Sequence, residues 1–180
     1  GAGAATQVAM MHGILHAYPH HDQGPAKALT HLNEQLARNA VEASFVTALA
    51  AEWDARERRL TVANAGHHLP SRRSVDGEVT QISGERDLPL GIMTGVKYEQ
   101  DAVTLGPGET VVLYTDGITE SFSPPPERQM FGLEGLHGAL QACTGEPTCV
   151  IESIHERLYN HTHSRSRDDD QTLLAMKVVA

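Results

Sequence analysis

Two stretches place acids where a buried strand meets a loop. The run Leu113-Tyr114-Thr115-Asp116-Gly117 takes an apolar strand straight into an aspartate and a glycine. The run Asp168-Asp169-Asp170-Gln171-Thr172-Leu173 puts three consecutive acids at the mouth of another apolar strand. A charge at the end of a buried strand is costly unless it is paired or holds a cation. Adjacent carboxylates repel unless something positive lies among them. Hard divalent ions prefer such oxygen donors, and Mg²⁺ is commonly held by one or two carboxylates with several waters retained. The structural alternatives are an aspartate bonded to nearby amides in a turn and a solvated acidic loop. The two stretches are far apart in sequence, so only tertiary folding can join them.

A third stretch, Ala63-Asn64-Ala65-Gly66-His67-His68, follows a strand with small residues and two histidines. Its plainest reading is a structural turn, with Asn64 bonded to backbone and Gly66 at positive φ. His12, His16 and His20 are four apart, but no HExxH zinc motif is present and Pro19 interrupts the helix. No serine sits in a G-x-S-x-G elbow. No GxxxxGK[ST] phosphate loop occurs.

The elements that must carry these residues follow from periodicity and punctuation. Ala4 to Tyr18 reads as a helix, with Val8, Met11, Ile14 and Leu15 on one face. A second helix begins near Pro25, presents Leu29, Leu32 and Leu36, and stops at Asn39. The apolar run 45–54 and the alternating run 59–63 form a hairpin about a charged turn. Asp76-Gly77 marks a second hairpin, between 72–75 and 78–82. Strands are expected at 103–105 and, buried, at 110–114. Helices are expected at 132–143 and 148–160, the latter with Val150, Ile151, Ile154 and Leu158 inside, and a terminal strand at 172–179. Helices grouped around antiparallel hairpins predict an α+β layered fold rather than a doubly wound parallel sheet.

The 180 residues are 40% hydrophobic and 21% charged, with only 4% aromatics. That balance is globular, with a core of aliphatic side chains. The formal charge of −9 repels a phosphate backbone and argues against nucleic acid as a partner. No apolar run approaches the ~20 residues of a spanning helix, and no signal peptide is visible, so no membrane role and a cytoplasmic location are expected. Cys143 and Cys149 are close enough in sequence to pair, but a reducing compartment favours two free thiols.

Taken in order, the segments Leu32–Leu36 (LNEQL), Phe45–Ala48 (FVTA), Ala63–His67 (ANAGH), Leu88–Ile92 (LPLGI), Leu105–Glu109 (LGPGE), Leu113–Glu120 (LYTDGITE), Phe131-Gly132 and Asp169–Leu173 (DDQTL) resemble the bacterial branch of the metal-dependent type 2C (PPM) protein phosphatases, the SpoIIE and RsbU group. The resemblance spans nearly the whole chain as a single phosphatase-like domain, residues 1–180. It implies a four-layer α-β-β-α sandwich of two antiparallel sheets between helices. It implies two Mn²⁺ or Mg²⁺ ions, and hydrolysis of phosphoserine or phosphothreonine on a STAS-type anti-anti-sigma regulator by metal-activated water, with no protein nucleophile. Asp116 matches the metal-binding aspartate of the TDG motif, and Asp169 the first aspartate of DDxT. Gly117, Asp170, Asn64 and His67 are then supporting residues.

One departure bears on activity. Gly1-Ala2-Gly3 resembles the end of a D-x-x-G-H-G motif whose aspartate bridges both ions, and neither that aspartate nor the strands before it are in the sequence. The expectation is a weak or absent metal site in this chain, with little activity, and uncovered sheet edges that invite homodimerisation. A sensor or receiver domain upstream is a further implication of the resemblance. The alternatives are a pseudo-phosphatase that binds its partner without turnover, and a hydrolase of small phosphoesters.

Overall fold

The computed structural model describes residues 24–39, 45–82, 84, 87–164 and 169–179. The expected helix at 4–18, the histidines at 12, 16 and 20, the opening Gly1-Ala2-Gly3 and Asp168 lie outside them. Two compact units emerge, Gly1–His67 with Ser83–Thr104, and His68–Ile82 with Leu105–Ala180. Each holds an antiparallel sheet covered by helix, so the chain is α+β, with two antiparallel sheets flanked by helices.

In the first unit, helix α1 (Gly24–Asn39) buries Leu29, Leu32 and Leu36, the face its spacing predicts. Gln100 Oε1 accepts from Ala26 N–H at 3.1 Å and so satisfies one of the donors that a first helical turn leaves open. Strands β1 (Ala48–Asp54) and β2 (Arg59–Ala65) make the expected hairpin. In the turn, Asp54 Oδ1 accepts the amides of Arg56 and Glu57, and these bonds draw the Asp54 carboxyl below its usual pKa. Ala48, Ala50, Ala63 and Ala65 give the helix a flat floor. Asn33, wholly buried, takes Gly91 N–H on Oδ1 and gives Nδ2–H to Met93 carbonyl, which ties the 88–95 segment to α1. The sheet order is β1-β2 followed by β5 (Asp101–Thr104).

The second unit contains β3 (Ser71–Arg73), β4 (Val79–Gln81), β6 (Thr110–Tyr114) and β7 (Leu173–Lys177), in the order β4-β3-β6-β7. The β3–β4 hairpin turns at Asp76-Gly77, with Gly77 at φ +89°. Thr110, Val111 and Val112 are fully buried, as an interior strand's apolar run requires. Helices α3 (Gly132–Ala142) and α4 (Pro147–Thr162) cover this sheet through Leu136, Leu140, Val150, Ile154 and Leu158. Ile151 is only partly buried, against expectation: the inward stripe repeats every four residues from Val150, and Ile151 stands beside it.

Arg73 is 8% exposed and has no carboxylate partner among the described residues. Its guanidinium donates instead to Leu140 carbonyl at 2.8 Å, Cys143 carbonyl at 2.6 Å and Ser74 carbonyl at 3.0 Å. It therefore caps the C-terminal end of α3, where carbonyls lack helical partners and the helix dipole favours a cation.

Candidate metal centre

β6 and β7 are antiparallel neighbours with Tyr114 opposite Leu173. The end of one is thus beside the beginning of the other, and the two acidic loops emerge at the same edge. Beyond the last ladder pair the loops are joined by side chains. Thr115 N–H donates to Thr172 carbonyl at 3.2 Å. Thr115 Oγ1 accepts from Thr172 N–H at 2.9 Å and donates to Asp170 carbonyl at 3.1 Å. From the other loop, Gln171 Nε2 donates to Gly117 carbonyl at 3.0 Å and reaches Ser121 Oγ at 3.4 Å. Ser121 Oγ gives its own proton to Gly117 carbonyl at 2.8 Å.

The approach is close enough to dictate a glycine. A Cβ at position 117 would lie 2.4 Å from Asp170 carbonyl oxygen and 3.1 Å from its carbon. That oxygen is backbone and is already held by Thr115, so it has nowhere to yield.

Asp116 opens a one-turn helix, α2 (Asp116–Thr119), where the sequence predicts a plain turn. Four residues are too few to show a helical period. The Asp116 side chain is exposed, as are Asp169 and Asp170, so no carboxylate carries the burial cost expected for a strand-end charge. Asp116 Oδ1 accepts Gly117 N–H at 2.9 Å, and Asp169 Oδ1 accepts Asp170 N–H at 2.8 Å. These bonds orient both carboxyl groups while leaving acceptor capacity free.

Asn64 and His67 belong to the first unit and close a turn on themselves. Asn64 Oδ1 accepts His67 N–H at 2.7 Å, and Asn64 Nδ2 donates to His67 carbonyl at 2.9 Å, with Gly66 at φ +75°. This is the structural turn anticipated for that stretch. The histidine beside α2 is the next one: His68 Nε2 is 3.5 Å from Thr119 Oγ1, and its ring lies 5.7 Å from that of Tyr114. His68, Thr115 and Gln171 are the residues that sequence reasoning passed over. Thr115 and Gln171 sit inside the two acidic motifs, so the motifs themselves carried the signal. Next to Gln171 a cavity of about 670 Å³ opens, with Ser121, Phe122, Arg128 and Tyr159 in its wall.

The donor set is hard oxygen from Asp116, Asp169 and Asp170, with exposed carboxylates on adjoined loops. It fits a divalent cation that keeps much of its water. Among the described residues no group of three or more His, Cys, Asp or Glu side chains converges as a complete metal cage.

The sequence pattern of the family Stage II sporulation protein E (SpoIIE) matches residues 1–179. The chain belongs to the SpoIIE family. This SpoIIE-family chain is 28% identical over 182 residues to phosphoserine phosphatase RsbU of Bacillus subtilis, covering 98% of this chain and 52% of RsbU. It is 28% identical over 134 residues to protein IcfG of Synechocystis, covering 74% of this chain and 21% of IcfG. It therefore spans about half of one curated relative and about a fifth of the other. Among solved structures, the RsbU and RsbW domains of Rv1364c from Mycobacterium tuberculosis superpose with TM-score 0.81 at 19% identity, covering 100% of this chain and 50% of that one. The SpoIIE phosphatase domain of B. subtilis, presoaked with Mn, gives 0.64 at 18% identity, covering 96% and 72%. The family is thus SpoIIE, and the fold is the one shared by the RsbU-type and SpoIIE phosphatase domains among those structures.

Proposed function

We propose that this SpoIIE-family domain hydrolyses phosphoserine or phosphothreonine on a small STAS-type regulatory protein, with Mn²⁺ or Mg²⁺ held by Asp116 and Asp169. The observation that carries the reading is the joining of the two acidic loops through Thr115, Gly117 and Gln171. Such cations, when bound, neutralise phosphoryl oxygens and make water a nucleophile near neutral pH.

The residues divide the work. Asp116 and Asp169 offer carboxylate oxygens already oriented by neighbouring amides. Gly117 lets the loops approach, while Thr115 and Gln171 fix their spacing. Asp170 contributes its carbonyl to that spacing and an outward carboxylate. Asn64 and His67 support the reading only as a rigid turn after β2. RsbU is named a phosphoserine phosphatase, and the Rv1364c structure carries RsbU and RsbW domains, which favours a regulatory protein as substrate and partner. No helix among the described residues is long and apolar enough to cross a membrane. A cytoplasmic location, a sensor or receiver domain upstream, and a homodimer belong to the same proposal.

The test is release of phosphate from a serine-phosphorylated STAS protein at millimolar Mn²⁺, for the wild type, Asp116→Asn and Asp169→Asn. Slow metal-dependent release, as a weakly held cation would give, and its loss in both variants are expected. Equal release by all three would overturn the assignment.

A second reading is a pseudo-phosphatase that binds its partner, since Asp116 and Asp169 are exposed and each carboxylate already accepts a neighbouring amide. Partner binding without turnover, unchanged by either substitution, would select it.

A further inference from the structure

The cavity of about 670 Å³ beside the acidic loops is a groove with two walls. One wall is the hairpin that follows α2. There Phe122 pairs with Met130, Ser123 N–H donates to Gln129 carbonyl at 2.8 Å, and Phe131 N–H donates to Ser121 carbonyl at 2.8 Å. The other wall is the C-terminal half of α4, with Glu156, Leu158 and Tyr159. His161 of α4 ties the two together. Its Nε2 donates to Gln129 carbonyl at 2.9 Å, and its ring packs edge-on to Phe131 with centroids 5.5 Å apart. A groove whose walls are already joined loses little freedom when it is filled. Its volume falls within the roughly 300–1,000 Å³ of ligand sites. Ser121 and Gln171, the side chains that hold Gly117 carbonyl, also line it, so the groove adjoins the loops that carry Asp116 and Asp169.

The lining matches polypeptide. The chain holds only 3 Phe, 1 Trp and 4 Tyr, yet this one groove exposes Phe122 at 37% and Tyr159 at 47%. Aromatic side chains and arginine are the types that dominate protein recognition. The Arg128 guanidinium lies over the Phe122 ring, 5.3 Å from its centroid. Arg128 stands at φ +43°, a conformation that costs a non-glycine residue energy and aims this side chain along the hairpin wall. No carboxylate pairs with it among the described residues, Glu156 of the opposite wall included. A guanidinium and a carboxylate that do not neutralise each other, beside two exposed rings, suit a segment with apolar and charged side chains. Glu156 disfavours a nucleotide or another polyanion.

We propose that this groove seats the polypeptide next to the phosphorylated residue of the substrate protein, with an apolar side chain against Phe122 and Tyr159 and an acidic one on Arg128. The identity of the occupant rests on the phosphatase function proposed for this domain. The groove supplies binding energy away from the reacting phosphoryl group, and its loss should therefore appear in affinity before it appears in turnover.

The test uses the whole chain and a serine-phosphorylated STAS protein. The dissociation constant is measured by calorimetry in EDTA, where no cation contributes, and KM and kcat for phosphate release are measured separately in Mn²⁺. Phe122→Ala, Tyr159→Ala and Arg128→Glu should each weaken binding in EDTA at least ~10-fold, as truncation of a recognition anchor does. Each should raise KM by a similar factor with kcat within about twofold, the mark of lost uniform binding. Unfolding midpoints equal to wild type would confirm that the effect belongs to the groove and not to folding. Weakened binding in the three variants without phosphate release from any protein would retire the phosphatase function and keep the groove as a docking site. Normal release and unaltered binding in all three would retire the groove and keep the phosphatase. No binding by wild type in EDTA, or a dimer of this chain that Tyr159→Ala dissolves, would also overturn the proposal, the latter by assigning the groove to a second copy.

Discussion

Replacing Gly117 with alanine adds one methyl group at the tightest point of the candidate site. The new carbon would sit 2.4 Å from Asp170 carbonyl oxygen and 3.4 Å from Gln171 Cγ. An ordinary carbon-to-carbonyl-oxygen contact is about 3.3 Å, so the loops must separate by about 0.9 Å. Thr115 Oγ1 already spans 3.1 Å to that oxygen, and a displacement of this size takes it out of hydrogen-bond range. Residue 117 is the second of α2, where propensity alone makes alanine better than glycine by roughly 0.5–1 kcal/mol. Overpacking against backbone costs about 1–3 kcal/mol and opposes that gain, so the net change is destabilising. A shift near 1 Å at a reacting centre costs on the order of 10²-fold in rate. Denaturant unfolding and Mn²⁺-dependent phosphate release read the two effects separately. A Gly117→Ala protein as stable as wild type, with unaltered metal dependence, would refute the claim that the acidic loops are held in contact here.

Three further outcomes follow from the packing. Arg73→Ala leaves the carbonyls of Leu140 and Cys143 without their donor and should cost about 2–4 kcal/mol, measured by urea unfolding; an effect below about 0.5 kcal/mol would contradict its capping role. Asn33→Leu removes both clamps on the 88–95 segment, so amide exchange at Gly91 should accelerate by at least roughly tenfold, and unchanged exchange would contradict the clamp. His137, half-buried with Nε2 3.1 Å from Ser71 Oγ, has its pKa lowered by burial. Its imidazole is neutral in both states above the unfolded pKa of about 6.5, and below that the unfolded chain binds the proton first. Its contribution is therefore lost as pH falls from about 6.5 through the lowered folded value, and His137→Gln should flatten the acid limb of stability against pH. A limb identical to wild type would remove His137 from that account.

The sequence made much of this legible because its punctuation is strong. Thr110 to Tyr114 lies between Gly-Pro-Gly and Thr-Asp-Gly, and β6 begins and ends on those residues. The Asp76-Gly77 hairpin is equally plain, although only three residues of each strand pair. The Leu29, Leu32, Leu36 stripe identified α1 and its buried side. Other features depend on contacts across long sequence separations and leave no local trace. The hydroxyl of Thr115 and the amide of Gln171 read as ordinary polar groups until β6 and β7 are paired. Arg73 sits in the strand expected at 72–75, and its burial becomes apparent only when α3 ends over it. The choice of His67 over His68 failed to register that neighbours in an extended chain face opposite ways. His67 closes the turn with Asn64, and His68 reaches α2.

The central claim is that Asp116 and Asp169 together hold a divalent cation. An anomalous difference map from a crystal soaked in millimolar Mn²⁺ tests it most directly. The account predicts a peak contacted by both carboxylates at the joined ends of β6 and β7, absent in Asp116→Asn. A peak elsewhere, or none at saturating Mn²⁺ with those carboxylates turned apart, would contradict it.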